Sequence, residues 1–193
     1  MILPESFFIH DDVVSIAKNL LVKELFTNIN GEICSGIISE TEACAGITDK
    51  ASHAYGSRRT KRTETMYQRG GRTYVYLCYG IHHLVNIVTA KENIPHAVLI
   101  RSIIPQKGIN SMLLRSKNKN PNNLSNGPGK LSKVLGITTV YDNIKLNKDI
   151  IWIEDNDYSL DSYNIMVTKR IGIDYAEEDA HLHYRFLLMR NDK

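Results

Sequence analysis

The chain has 193 residues, of which 42% are hydrophobic and 23% are charged. This composition is ordinary for a water-soluble globular protein, and the length predicts one domain spanning residues 1–193. The net charge of +3 and the pI of about 8.7 are too mild to identify a nucleic-acid-binding protein. Any such role therefore depends on how the charges are distributed along the chain.

Three further features limit the class of protein. The apolar runs fall short of the ~20 residues that a membrane-spanning helix requires, and the start of the chain lacks the basic region of a signal peptide. Cys34, Cys44 and Cys78 have neither the spacing of zinc ligands nor that of a disulfide framework. We therefore expect a cytoplasmic protein with free thiols, no bound metal and no membrane partner.

The first predicted elements are a helix and two strands. Residues 10–21 begin with potential capping acids and continue with apolar residues at helical spacing, which predicts a helix with one apolar face. Residues 28–31 are typical of a tight turn between two strands. The second strand, about residues 32–40, would present Glu40 and Glu42 at its end.

A loop and three short strands are predicted next. Residues 43–72 are small, polar and basic, which indicates a loop with short helical turns. Alternating β-forming residues then predict strands over residues 73–79, 83–89 and 97–104. Three short strands in series favour an antiparallel sheet.

The last third of the chain alternates between helices, loops and strands. A helix is predicted over residues 106–117 and a surface loop over 117–123, and Pro128 begins a second helix that ends near residue 135. Late strands are predicted over residues 150–153, 165–169 and 184–189. The expected fold class is mixed α/β (α+β), with a curved antiparallel sheet and peripheral helices in a single domain.

The stretch from residue 37 to residue 56 carries the clearest chemical signal. Glu40 and Glu42 are two positions apart, so on a strand they share one face. A carboxylate at the end of a buried strand, followed by small residues and by His53, is suited to activate a water molecule. The alternative interpretation is a strand end with solvated acids.

A basic segment follows the two glutamates directly. Between residues 57 and 72, six basic residues stand against one glutamate, a local charge of +5 that exceeds the net charge of the whole chain. Such a segment is often a solvated face. Beside a candidate base it also fits contact with the phosphates of a polyanion.

Several short motifs occur along the chain in one order. They are Leu3–Phe8, Glu40–Ala43, His53, Tyr74–Gly80, Asn86, Val98–Arg101, Asn126–Leu131 and Arg170–Ile173. In this order and spacing they resemble the alkyladenine (3-methyladenine, methylpurine) DNA glycosylase family. The resemblance covers nearly the whole chain and implies a fold similar to the carboxyl-terminal domain of methionyl-tRNA formyltransferases.

The resemblance implies a monofunctional DNA glycosylase that starts base excision repair. Such an enzyme flips out alkylated or deaminated purines of the 3-methyladenine, hypoxanthine and ethenoadenine class and hydrolyses the N-glycosidic bond with a glutamate-activated water. The family's catalytic glutamate falls on Glu42, which leaves Glu40 a structural or water-network role. Arg101 and the main-chain carbonyl of Ile171 match the groups that help to hold this water. No cofactor and no lyase step are implied.

Four residues match the family's base pocket. Tyr76 would stack on the base, His53 would pack nearby, and Asn86 would exclude guanine by a clash with its amino group. Cys44 stands where the family normally has a second stacking tyrosine, which leaves the preferred lesion open. From the residues alone, Tyr76 can equally be a core aromatic and His53 a hydrogen-bonded loop histidine.

Other residues match contacts to duplex DNA. Tyr79 corresponds to the tyrosine that intercalates in place of the flipped nucleotide. Phosphate contacts are expected from Arg58, Arg59, Lys61, Arg62 and Lys130. Gly129 replaces a residue that often carries a hydroxyl in the family, and residues 174–183 align poorly.

The implied partner is double-stranded DNA that contains damaged purines. We expect a monomer that is cytoplasmic, and associated with the nucleoid if the protein is bacterial. The alternative from a different class is a non-catalytic nucleic-acid-binding domain of the same fold. A pure binding domain, however, has no need for a buried acid beside an arginine.

Overall fold

The computed structural model describes residues 1–116, 120, 124–159, 161 and 163–191. Within these residues, eight strands form one antiparallel sheet. The strands are β1 Glu24–Ile29, β2 Glu32–Cys44, β3 Arg72–Cys78, β4 His82–Thr89, β5 His96–Lys107, β6 Ile151–Glu154, β7 Tyr163–Thr168 and β8 Arg185–Arg190. The helices are α1 Glu5–Phe8, α2 Val13–Asn19, α3 Ile109–Ser116 and α4 Pro128–Leu135. The predicted mixed fold is confirmed.

Helices α2 and α4 pack their apolar faces on the sheet, as the spacing of their apolar residues predicts. The Asp12 carboxylate caps α2 by accepting a hydrogen bond from the Ser15 N–H at 3.0 Å. Pro128 begins α4, and Gly136 ends it with a φ of 76°, a conformation that favours glycine. Leu131 and Val134, on the inner face of α4, are fully buried.

Strand β2 is the central element and extends beyond its predicted end. It pairs with β5 along one edge, while its other edge pairs first with β1 and then, over Glu40–Glu42, with β8. The expected end at residue 40 is therefore wrong, since the strand continues to Cys44. The reason is non-local, because β5 and β8 supply hydrogen-bond partners for this part of β2. Both glutamates consequently lie inside the sheet.

Two other boundaries differ from the predictions. Strand β5 continues through Lys107, so the helix expected over residues 106–117 begins only at Ile109. The surface loop expected over residues 117–123 lies, apart from Asn120, outside the described residues. None of the described helices is long and apolar enough to cross a bilayer.

The segment between β2 and β3 is the predicted loop with short helical turns. Its 3-10 turns are Gly46–Thr48, Tyr55–Ser57 and Glu64–Tyr67. A second apolar cluster joins Met66 and Tyr67 of this loop to Tyr74, Val88 and Ala97 of the sheet. This packing holds the loop, and with it His53, against β3.

Candidate active site

Glu42 is a buried carboxylate with a partner for each oxygen. Its side chain is 4% exposed. Oε2 accepts a hydrogen bond from Arg101 at 3.2 Å, and Oε1 accepts one from the backbone N–H of Ile171 at 3.0 Å. A carboxylate has about four lone-pair sites, so these two bonds leave acceptor capacity for a water molecule.

Arg101 reaches both glutamates because of an irregularity in β5. In the ladder between β2 and β5, Ser102 pairs with Glu40 and Ile100 pairs with Thr41, so Arg101 is the extra residue of a bulge. Bulges re-aim side chains and are frequent near active sites. Here the guanidinium donates to Glu40 at 2.7 Å as well as to Glu42.

Glu40 forms the other half of a four-residue ionic cluster. Its Oε1 accepts from both Arg101, at 2.7 Å, and Arg185, at 2.6 Å. Arg185 pairs with Glu42 in the β2–β8 ladder, and its Nε lies 4.0 Å from the Glu42 carboxylate. Two carboxylates and two guanidinium groups balance in charge, which makes the burial of the cluster tolerable. Glu40 is thus the more heavily paired carboxylate.

The environment raises the pKa of Glu42 above its ordinary value of 4.5. Burial is the largest cause, and the charge of Glu40 acts in the same direction. Arg101 and the Ile171 N–H oppose this shift without cancelling it. A carboxylate with a raised pKa is a stronger base, which is what activation of a water requires.

A buried ion pair fixes the segment that reaches Glu42. Arg170 and Asp49 are both 1% exposed, and the Arg170 Nη2 atom donates to Asp49 Oδ1 at 2.8 Å. Arg170 also donates to the carbonyl of Ala43 on β2 at 3.0 Å. These bonds place the next residue, Ile171, with its N–H against Glu42. Where the Ile171 carbonyl would meet a water stays a prediction.

A cavity of about 630 Å³ opens beside Glu42. This volume is within the usual range for small-molecule sites, about 300–1,000 Å³. It brings together residues that the sequence predicts for different roles: Glu42, Cys44, His53, Arg62, Tyr76, Tyr79, Arg101, Lys130 and Ile171. The predicted contact between Glu42 and Arg101 is present. Both residues line this cavity, which is large enough to hold a ligand.

Aromatic rings form one wall of this cavity. His53 meets Tyr76 edge-to-face, with ring centroids 4.6 Å apart and an interplanar angle of 76°. The His53 Nδ1 atom is 2.9 Å from the hydroxyl of Tyr74, which is buried in the second apolar cluster. Burial lowers the pKa of His53 to about 4, with further contributions from Arg62 and Arg58. His53 is therefore a neutral imidazole at neutral pH.

Cys44 and Asn86 differ in their relation to the cavity. Cys44 is half-buried in the cavity wall, and desolvation raises the pKa of its thiol to about 12, so it stays protonated. Asn86 is buried on β4 and donates to the Tyr74 carbonyl at 3.1 Å, which provides the partner that its amide needs. Its ladder neighbour Leu99 lines the cavity. A contact between Asn86 and a base stays a prediction.

Tyr79 projects from the tip of the β3–β4 hairpin. It is 88% exposed and has a φ of 51°, an uncommon conformation for a residue with a side chain. The hairpin also exposes Ile81, which is 71% accessible. The intercalation of this exposed ring into DNA stays a prediction.

The predicted phosphate contacts have different surroundings. Arg58 and Lys61 are exposed on the loop. Arg59 is also exposed, but its guanidinium forms two hydrogen bonds with Glu64, at 2.9 and 2.7 Å, and lies over the ring of Tyr67. Arg62 lies over the ring of Tyr76. The phosphate role of all four residues stays a prediction.

Lys130 lies in the first turn of α4 at the other side of the cavity. A Cβ atom on its neighbour Gly129 would come within 3.0 Å of the His82 ring. The imidazole of His82 thus lies against the position where the family often carries a hydroxyl. Lys130 remains an exposed cation that can face a phosphate.

The sequence analysis assigns no role to three residues that shape this site, although Arg170 belongs to one of the motifs. Arg185, Asp49 and Arg170 hold Glu40, β2 and the Ile171 segment in place. Asp49 and Arg170 are 121 positions apart, so no local pattern links them. Within the described part of the chain, no three His, Cys, Asp or Glu side chains cluster as metal ligands would.

The chain is similar to known proteins along nearly all of its length. The family model described as "Methylpurine-DNA glycosylase (MPG)" matches residues 7–192. A protein of Chlamydia felis (strain Fe/C-56) named "Putative 3-methyladenine DNA glycosylase" is 50% identical over 96% of this chain and 95% of that protein. Proteins of the same name are 46% identical in Chlamydia pneumoniae, covering 98% of this chain and 96% of that protein, and 44% identical in Clostridium perfringens (strain 13 / Type A), covering 95% and 94%.

Proposed function

The chain belongs to the methylpurine-DNA glycosylase family and is a DNA glycosylase, and on this premise we propose that Glu42 activates the water that releases the damaged base. The proposed substrates are alkylated or deaminated purines of the 3-methyladenine, hypoxanthine and ethenoadenine class in duplex DNA. The products are the free base and an abasic site. The non-catalytic alternative is set aside, because the chain is an enzyme.

The first step is the extrusion of the damaged nucleotide from the duplex. A stacked base is out of reach of any active site, so the nucleotide has to leave the helix. Tyr79 is suited to fill the vacated space, since it is an exposed ring at the tip of a hairpin beside the cavity. The extruded purine then stacks on Tyr76, an interaction of about 1–3 kcal/mol.

The second step is hydrolysis. Glu42 accepts a proton from the water as the water oxygen bonds to C1′, and its negative charge favours the positive charge that develops on the sugar. The N-glycosidic bond breaks with its electron pair passing to the purine. Cationic 3-methyladenine leaves as a neutral base, and hypoxanthine or ethenoadenine takes up a proton from solvent as it leaves. Arg101 and the Ile171 N–H hold the carboxylate in place through one bond to each oxygen. Glu40, paired with Arg101 and Arg185, keeps the guanidinium groups from neutralising Glu42 completely.

The observation that carries this proposal is a buried carboxylate of raised pKa in the wall of an aromatic cavity. The test uses duplex oligonucleotides with a single hypoxanthine, ethenoadenine or 3-methyladenine, and scores abasic sites by alkaline cleavage. The protein is expected to act as a monomer and to release at least one of these bases. Absence of cleavage for all three lesions would contradict the proposal.

A further inference from the structure

Arg62 occupies a position that its place on the basic loop does not suggest. Its guanidinium carbon lies 4.8 Å from the centroid of the Tyr76 ring, and its Nη2 atom lies 3.4 Å from His53 Nε2. The side chain lines the same cavity as Glu42. A cation expected to face the DNA backbone is therefore turned toward the base pocket.

No acidic side chain of the described residues holds Arg62 in this position. Among the described residues, no carboxylate forms an ion pair with Arg62, whereas Arg59 on the same loop is paired with Glu64. Arg62 instead contacts the Tyr76 ring and, at longer range, a neutral imidazole. The residue is also exposed, so its side chain can leave the ring without disturbing the core.

A guanidinium group and a purine compete for the same kind of surface. Both are planar, and both stack on aromatic rings. The stacking of one base stabilises by a free energy comparable to, or somewhat greater than, that of a cation–π contact at an exposed site. A purine that enters the pocket can therefore replace the guanidinium on Tyr76.

We propose that Arg62 closes the base pocket of the free enzyme by lying on Tyr76, and that the flipped purine displaces it onto a DNA phosphate. This inference rests on the proposed function. Only a base with enough stacking surface opens the pocket, and the released cation then forms a contact with the substrate. Arg62 thereby links the binding of a base in the pocket to the affinity of the enzyme for DNA.

The test measures binding of a free base, which requires no catalysis. Free ethenoadenine is a fluorescent purine, and its emission reports stacking when it is titrated into wild type, Arg62→Ala and Arg62→Lys. Arg69→Ala is the matched control, because Arg69 is an exposed arginine that pairs with Glu5 outside this cavity. A second titration measures affinity for duplex DNA that carries a single ethenoadenine on a 2′-fluorinated sugar, which resists cleavage and so keeps a purine available to the pocket.

Arg62→Ala should bind free ethenoadenine about two- to fivefold more tightly than wild type, which corresponds to removal of one exposed cation–π interaction. Its affinity for the duplex should fall. Arg62→Lys keeps the charge but not the plane, so it should gain affinity for the base and retain most of its affinity for the duplex. Arg69→Ala should bind the base as wild type does.

Unchanged or weaker base binding by Arg62→Ala would overturn the inference, and so would an absence of binding to every variant. A role in DNA binding alone would lower the affinity for the duplex without a gain for the base. If wild type excises no lesion while Arg62→Ala still gains affinity for the base, the proposed function fails and the closure of the pocket stands.

Discussion

Arg101 lies on a bulge of β5, and its guanidinium donates a hydrogen bond to Glu42 at 3.2 Å, although the two residues are 59 positions apart in the chain. The bulge turns Arg101 toward the strand that carries both glutamates. It also gives Glu42 a positive neighbour that limits, but does not abolish, the effect of burial on its pKa. Burial therefore raises the pKa of Glu42, and Arg101 is the largest of the contacts that oppose this rise.

The raised pKa of Glu42 predicts how activity depends on pH. The carboxylate has to be ionised to act as a base, so single-turnover excision should fall as the pH is lowered through its pKa. The midpoint of this acidic limb should lie above 4.5, the ordinary value for a glutamate. The residual activity of Glu42→Gln should not show this fall at acidic pH. A wild-type midpoint at or below 4.5 would contradict the role given to burial.

The lowered pKa of His53 should respond to Arg62. The positive charge of Arg62 is the second cause of the shift after burial, so Arg62→Ala should raise the pKa of His53 from about 4 without restoring the ordinary value of 6.5. An NMR titration of the imidazole protons in both proteins checks this. An identical pKa in the two proteins would mean that the guanidinium does not lie beside the ring in solution.

Cys44 is the position where a larger side chain should change substrate range. If it faces the base, Cys44→Tyr adds a stacking surface of about 1–3 kcal/mol. Excision of hypoxanthine should then gain more than excision of 3-methyladenine, whose glycosidic bond is already weak. Overpacking is the opposing effect and costs about 1–3 kcal/mol where space is filled. Thermal stability is therefore measured alongside the two single-turnover rates, and an equally stable variant without a selective gain argues against a base-facing thiol.

The basic loop should contribute equally to the binding of all duplexes, damaged or not. Replacing Arg58 and Arg59 together should weaken binding and reduce the salt slope by about 0.9 for each phosphate that is no longer neutralised. Lesion preference should stay the same, because phosphate contacts carry no sequence information. Since Arg59 is already paired with Glu64, the single variant Arg58→Ala should account for more of the change than Arg59→Ala. A salt slope that does not change would identify the loop as a solvated face.

Features that depend on local sequence signals could be predicted, whereas features that depend on long-range contacts could not. The bounds of α4 follow from a proline at its start and a glycine at its end, and the family membership inferred from the ordered motifs is confirmed. The predicted end of β2 is wrong because Glu40–Glu42 pair with β8 and the strand continues along β5 to Cys44, and Arg185 of β8 is 145 positions from Glu40. No pattern within one segment can reveal such a partner.

The position of Arg62 illustrates the same limit within the site. Its charge and its place in a basic run predict a phosphate contact, and nothing in the run indicates the ring of Tyr76 as its neighbour. That neighbour is close because the second apolar cluster packs the loop on β3. The types of residue in the site could thus be predicted, while their mutual arrangement depends on tertiary packing.

The most direct test of the account compares Glu42→Gln with Glu40→Gln in single-turnover excision from a duplex containing hypoxanthine. Glu42→Gln preserves size but removes the base, so the rate should fall about 10²- to 10⁴-fold while binding to the duplex is retained. Glu40→Gln should have the smaller effect on the rate, because Glu40 only positions Arg101 and Arg185. Unchanged excision by Glu42→Gln together with its abolition by Glu40→Gln would show that the water is activated by the other carboxylate.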